Sequence, residues 1–95
     1  MLKEIIFDWD QWNPQKNEVK HGVSRTEAES VFFDAGYKLF QDIIHSSASE
    51  KRYILYGFSL ENRILMIGFT IRGSKIRIIT ARPASKKERE IYEKE

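Results

Sequence analysis

Between Arg52 and Arg82 the chain reads RYILYGFSLENRILMIGFTIRGSKIRIITAR, and the architecture follows outward from this run. Arg52 to Phe58 and Ile64 to Ile71 are rich in Ile, Leu, Tyr and Phe, side chains suited to a pleated, half-buried surface. The short Leu60-Glu61-Asn62 connection predicts a hairpin between them. Arg72-Gly73-Ser74-Lys75 then turns the chain into Ile76-Arg77-Ile78-Ile79-Thr80-Ala81-Arg82, which alternates apolar and polar residues. Ile79 falls on the face of Arg77, so the sheet is expected to bury part of both sides. Pro83, which has no N–H to give a ladder, ends that strand.

Beyond Pro83, Ser85 and Glu88 form a capping box for a charged helix from Lys86 to Lys94, with Ile91 and Tyr92 available to pack. In the other direction, His45 to Glu50 has loop composition and Lys38 to Ile43 reads as a strand. Ser24 with Glu27 is a second capping box, for a helix from about Arg25 to Phe33 whose positions Ala28, Val31 and Phe32 make one apolar face. Asn13-Pro14 opens an earlier helix running to about His21, closed by Gly22. Ile5-Ile6-Phe7 is a short first strand. The expected order is βααββββα, an α+β fold in a compact single domain over residues 1–95. Its mainly antiparallel sheet packs against a helical hairpin, with a C-terminal helix added.

The 95 residues, 41% hydrophobic and 32% charged, suit one globular core. The absence of cysteine removes disulfide scaffolds, Cys-based zinc sites, thiol nucleophiles and iron–sulfur clusters. No apolar run approaches the roughly 18 residues of a membrane span, and the N-terminus lacks a signal-peptide apolar region. Cytoplasmic location without membrane contact is the expectation. Charge is uneven: residues 1–50 carry 5 Lys/Arg against 9 Asp/Glu, a balance of −4, and residues 51–95 carry 11 against 5, a balance of +6. Such a split points to a polyanion or an acidic partner.

His21 and His45 are the only imidazoles. Neither is read as a metal ligand, and no metal site or cofactor is expected. His45 reads as an exposed polar loop residue. His21, between Lys20 and Gly22 at a helix end, offers a titratable ring beside a cation, a pairing suited to acid/base work on phosphodiesters. A capping role at the helix C-terminus is its structural alternative, favourable by roughly 0.3–1 kcal/mol. Arg72, Lys75, Arg77, Arg82, Lys86, Lys87 and Arg89 fall within 18 residues that hold one acid, Glu88. Arginine's planar fork donates two hydrogen bonds to a phosphate and stays charged, so Arg77 and Arg82 are either phosphate ligands or structural ion pairs. Lys86, Lys87 and Arg89 read as surface charges of the last helix. Trp9, Trp12, Tyr53, Tyr56 and Phe58 are read as packing groups rather than base-stacking platforms. No glycine-rich phosphate loop or serine-nucleophile motif is present.

Trp9-Asp10, Asn17, Lys20-His21-Gly22-Val23, Arg72-Gly73, Ile76 to Arg82, and Glu88-Arg89 ahead of Tyr92 together resemble a BrnT toxin over nearly the whole chain. The resemblance implies the toxin half of a bacterial type II toxin-antitoxin pair with a compact fold like that of the RelE ribonucleases. It implies RNA cleavage that halts translation, in a hetero-oligomer with a BrnA antitoxin that masks the toxin. The antitoxin carries the DNA-binding domain through which the complex represses its operon, so DNA contact is indirect. Asn13 stands where the family pattern has Lys, and Thr80 where it usually has Ser. Metal-independent cleavage needs proton carriers, assigned on this resemblance to Lys20 or His21, and phosphate donors, assigned to Arg72, Arg77 and Arg82. The competing expectation is a catalytically inactive module that binds RNA or antitoxin and serves operon autoregulation.

Overall fold

The run from Arg52 to Arg82 forms the middle of a five-stranded sheet in the computed structural model, which describes residues 5–8 and 20–94. The strands are β1 (Ile6–Asp8), β2 (Lys38–Gln41), β3 (Arg52–Phe58), β4 (Ile64–Arg72) and β5 (Lys75–Pro83), in the order β1-β5-β4-β3-β2. β2 to β5 pair antiparallel through successive connections, while β1 joins β5 in parallel, so the sheet is mixed. Helix α1 (Arg25–Ser30) continues as a 3₁₀ turn over Val31–Phe33, and α2 (Lys86–Glu93) follows β5.

One face of the sheet supplies Leu55, Leu65, Ile67, Phe69, Ile78 and Ala81 to the core, and Val23, Ala28 and Val31 close over them. Phe32 stands edge-on to both Phe7 and Phe69, and Tyr53 stacks on Phe69, so these aromatics are packing groups. Contact between the 3₁₀ turn and β3 depends on Gly57. A Cβ there would lie 2.6 Å from Val31 Cγ1 and 3.2 Å from the Val31 carbonyl oxygen.

The β4–β5 register breaks once. Gly68 opposes Thr80 and Phe69 opposes Ile78, leaving Ile79 as the extra residue of a bulge. Before the bulge Ile76 and Ile78 face the core; after it the phase changes and Ala81 does. A bulge absorbs one residue of alternation, which accounts for the out-of-phase Ile79 in the sequence.

Three expectations need correction or restriction. The helix predicted from Asn13-Pro14 lies outside the described residues except for its end, where Lys20 and His21 are helical, so the helical hairpin is not established. The Ser24–Glu27 capping box is only half formed. Ser24 Oγ accepts the Glu27 N–H, but the Glu27 carboxylate turns away to Arg63 and Ser59. A buried carboxylate gains more from a guanidinium than from one backbone N–H. β2 stops at Gln41 because Asp42 starts a turn, leaving Ile43 and Ile44 exposed. The Ser85–Glu88 capping box is complete.

Candidate functional site

The sheet face opposite the core is built by the alternate residues of the same strands. Cross-strand register aligns Arg52 with Thr70, Ile54 with Gly68 and Tyr56 with Met66 across β3 and β4. On the β5 side, Thr70 opposes Arg77, Gly68 opposes Thr80 and Met66 opposes Arg82. Arg77 and Arg82 are five residues apart, which would put them on opposite faces of a regular strand. The Ile79 bulge brings both to this face.

Two adjoining cavities open there. One, of about 170 Å³, is lined by Glu50, Arg52, Thr70, Arg72 and Arg77. The other, of about 300 Å³, is lined by Asp42, His45, Arg52, Gly68, Thr80 and Arg82 among others. Arg52 and Ile79 border both. Gly68 keeps the floor low, since a Cβ there would sit 3.0 Å from Thr80 Cγ2.

Each arginine is held by a carboxylate. Glu50 takes hydrogen bonds from Arg52 Nε at 3.0 Å and Arg72 Nη2 at 3.3 Å. The Arg52 bond above all holds the Glu50 carboxyl below its ordinary pKa. Arg77 Nη2 donates to Asp8 at 2.8 Å, both side chains being 12% exposed, while Arg77 Nε and Nη1 are buried with no hydrogen-bond partner among the described residues. Arg82 makes a two-pronged pair with Glu88 at 2.8 and 2.9 Å, and Glu88 also accepts the Ser85 N–H. Hydrogen bonding to Arg82 lowers the Glu88 pKa, so the cap of α2 and the orientation of Arg82 depend on one carboxylate. Lys86, Lys87 and Arg89 are exposed on α2, where Arg89 also donates to the Ala84 carbonyl.

Of the sequence candidates, the structure brings Arg72, Arg77 and Arg82 together with Arg52. Lys20 and His21 stand elsewhere. They lead through Gly22, whose φ is +69°, to the core residue Val23, on the helical side of the sheet. The Gly22 carbonyl accepts Arg63 Nη2 at 2.6 Å, at the start of β4. The 9 residues of β4 put that end of the strand about 26 Å from Arg72, whereas Arg82, opposite Met66, lies near it on the other face. The sequence carries no motif for Arg52, a strand-start residue, and His45 is the exposed polar turn residue expected, its ring 64% exposed with Nδ1 2.7 Å from Asp42 Oδ2. The available signal was the Asp42-x-x-His45 spacing and the shared parity of Arg52, Ile54 and Tyr56.

This surface joins guanidinium donors, an imidazole and a shallow cleft, a combination that suits a phosphodiester chain. Residues 9–88 match the family model described as ribonuclease toxin, BrnT, of type II toxin-antitoxin system. The chain belongs to the BrnT toxin family. Membership makes it a ribonuclease toxin of the type II class, whose counterpart is an antitoxin. Comparison with curated proteins returned no match. Among the described residues, no helix is long and apolar enough to cross a membrane.

Proposed function

We propose that this BrnT-family chain cleaves RNA on the open face of its sheet without a metal ion, and that a BrnA-type antitoxin neutralises it. The carrying observation is the convergence of Arg52, Arg72, Arg77 and Arg82 on one face, which the Ile79 bulge makes possible. In cleavage the 2′-oxygen attacks phosphorus, the 5′-oxygen leaves, and the products carry a 2′,3′-cyclic phosphate and a 5′-hydroxyl. Negative charge grows on the phosphorane oxygens, and preset guanidinium donors stabilise it without reorganising. The carboxylates preset them. Glu50, at 30% exposure against 12% for Asp8 and 17% for Glu88, is the one an incoming phosphate displaces most readily.

Cytoplasmic action, RNA as substrate and DNA contact only through the antitoxin belong to the same reading. Lys20 and His21 remain candidate proton carriers on the family resemblance alone. The pairing of all four arginines of this face with carboxylates favours a second reading, in which the face only binds RNA or antitoxin and serves operon autoregulation.

The test is incubation of antitoxin-free protein with single-stranded RNA in EDTA. The expected result is cyclic-phosphate products from the wild type and roughly 10²-fold slower cleavage by Arg77→Ala and Arg82→Ala. Folded variants cutting at the wild-type rate would return both arginines to a structural role. Intact RNA, bound in a salt-sensitive manner by folded wild-type protein, would favour the binding-only reading.

A further inference from the structure

We infer that His45 takes the proton from the attacking 2′-hydroxyl, with Asp42 as its positioning residue; the assignment rests on the RNA-cleavage reading above. His45 borders the larger cavity together with Arg52, Thr80 and Arg82. Its ring nitrogen Nδ1 is 2.7 Å from Asp42 Oδ2, and its backbone N–H donates to Asp42 Oδ1 at 3.3 Å. Asp42 therefore holds both the main chain and the ring of the same residue. The turn is itself tied to β3: the Asp42 N–H donates to the Arg52 carbonyl at 2.7 Å. Ser46 Oγ donates to the Asp42 carbonyl at 2.6 Å and accepts the Arg52 N–H at 2.8 Å. Arg52 thereby belongs to the phosphate-facing row and also fixes the imidazole-bearing turn.

Closing that turn needs Asp42 Oδ1 and Ser46, and it does not need an imidazole. The ring is 64% exposed and the Asp42 side chain 18% exposed, so the carboxylate is sheltered and the ring reaches solvent. An ionised carboxylate beside Nδ1 favours the tautomer with hydrogen on Nδ1, which leaves the Nε2 lone pair to accept a proton. The charged groups lining the cavity with His45 are Asp42 on its own turn, Arg52 on β3 and Arg82 on β5. Arg52 is backed by Glu50 and Arg82 by Glu88.

The 2′-hydroxyl proton passes to His45 Nε2 as the 2′-oxygen–phosphorus bond forms. Arg52 and Arg82 bind the non-bridging oxygens, and the phosphorus–5′-oxygen bond breaks. A water molecule protonates the departing oxygen, and the resulting hydroxide recovers the proton from the imidazolium.

The experiment compares wild type, His45→Ala, His21→Ala, Asp42→Asn and Asp42→Glu on single-stranded RNA in EDTA, with thermal melts to establish folding. Expected is a loss of roughly 10²- to 10⁴-fold in His45→Ala with RNA affinity retained, and recovery of part of the rate on adding free imidazole. Asp42→Asn should alter the pH–rate profile, and Asp42→Glu should restore part of the wild-type rate. Cleavage by folded His45→Ala at the wild-type rate overturns the assignment while leaving RNA cleavage intact. So does cleavage lost in His21→Ala and kept in His45→Ala. If His45→Ala fails to fold, His45→Gln replaces it under the same criteria. A folded wild type that leaves RNA uncut overturns the cleavage reading, and this assignment with it.

Discussion

Glu27 shows how one side chain can be withdrawn from the role its spacing suggests. Its carboxylate is 3% exposed and accepts Arg63 Nε and Nη2, each at 2.7 Å, and Ser59 Oγ at 2.7 Å. The Arg63 bonds outweigh burial and hold the Glu27 pKa below 4.5. A carboxyl with a depressed folded pKa adds stability that is present above its unfolded pKa and lost as pH falls through the folded one. Thermal midpoints are therefore expected to drop as pH falls below the ordinary glutamate range, with a shallower drop in Glu27→Gln. That variant should also lose about 1.5–3 kcal/mol at neutral pH, read by urea unfolding, because a charged hydrogen-bond acceptor is removed. Tyr92 offers a second check. Burial and its 2.6 Å hydrogen bond to Asp34 push its phenol up to about 12. An absorbance titration should show Tyr92 ionising late, alongside Tyr56, which burial also pushes up, and Asp34→Asn should bring the Tyr92 step down.

At the scale of elements, the Ile79 bulge carries the most consequence. Deleting Ile79 makes the β4–β5 ladder regular and forces either Ile76 and Ile78 or Ala81 off the core face, because a shift of one residue inverts every side chain beyond it. The deletion should cost several kcal/mol in urea unfolding and abolish RNA cleavage, whereas Ile79→Val, which keeps the residue count, should cost roughly 0.5–1.5 kcal/mol. Removing the cap hydroxyl in Ser85→Ala should cost about 1 kcal/mol in the same assay and also loosen Glu88 from its position beside Arg82. Much of this layout was legible beforehand. β3, β4, β5 and α2 followed from runs of Ile, Leu and Phe and from Ser85 with Glu88, since these signals are local. The fate of Glu27 was not legible, since Arg63 lies 36 residues away in sequence. Nor was the meeting of Arg52 with Arg82, because parity across three strands depends on register and on a bulge seen only when the strands pair. Arg72, Arg77 and Arg82 were legible as a cluster because they lie on one hairpin and its exit.

For the whole molecule, a net charge of +2 understates what a polyanion meets, because residues 51–95 alone carry a balance of +6. The sheet gathers four arginines of this half on the face away from the core, next to Glu50, which comes from the acidic half of the chain. Binding of single-stranded RNA should therefore weaken with salt, log K falling by about 0.7 per phosphate neutralised for each unit of log salt. Two to three phosphate contacts give a slope of about −1.4 to −2, and Arg72→Ala should flatten it by about 0.7 with little loss of stability, since this side chain is 52% exposed. Glu50 makes the opposite prediction. Its carboxylate already occupies donors of Arg52 and Arg72 that a phosphate needs, so binding RNA requires its displacement. Glu50→Gln removes the competing charge and keeps the shape, and should bind an uncleavable 2′-deoxy oligonucleotide severalfold more tightly at low salt, the gain shrinking as salt rises. Fluorescence anisotropy over a salt series measures both effects. Equal affinity of Glu50→Gln and wild type at every salt concentration would mean that RNA does not engage the Arg52–Arg72 end of the face, and would confine phosphate contact to Arg77 and Arg82.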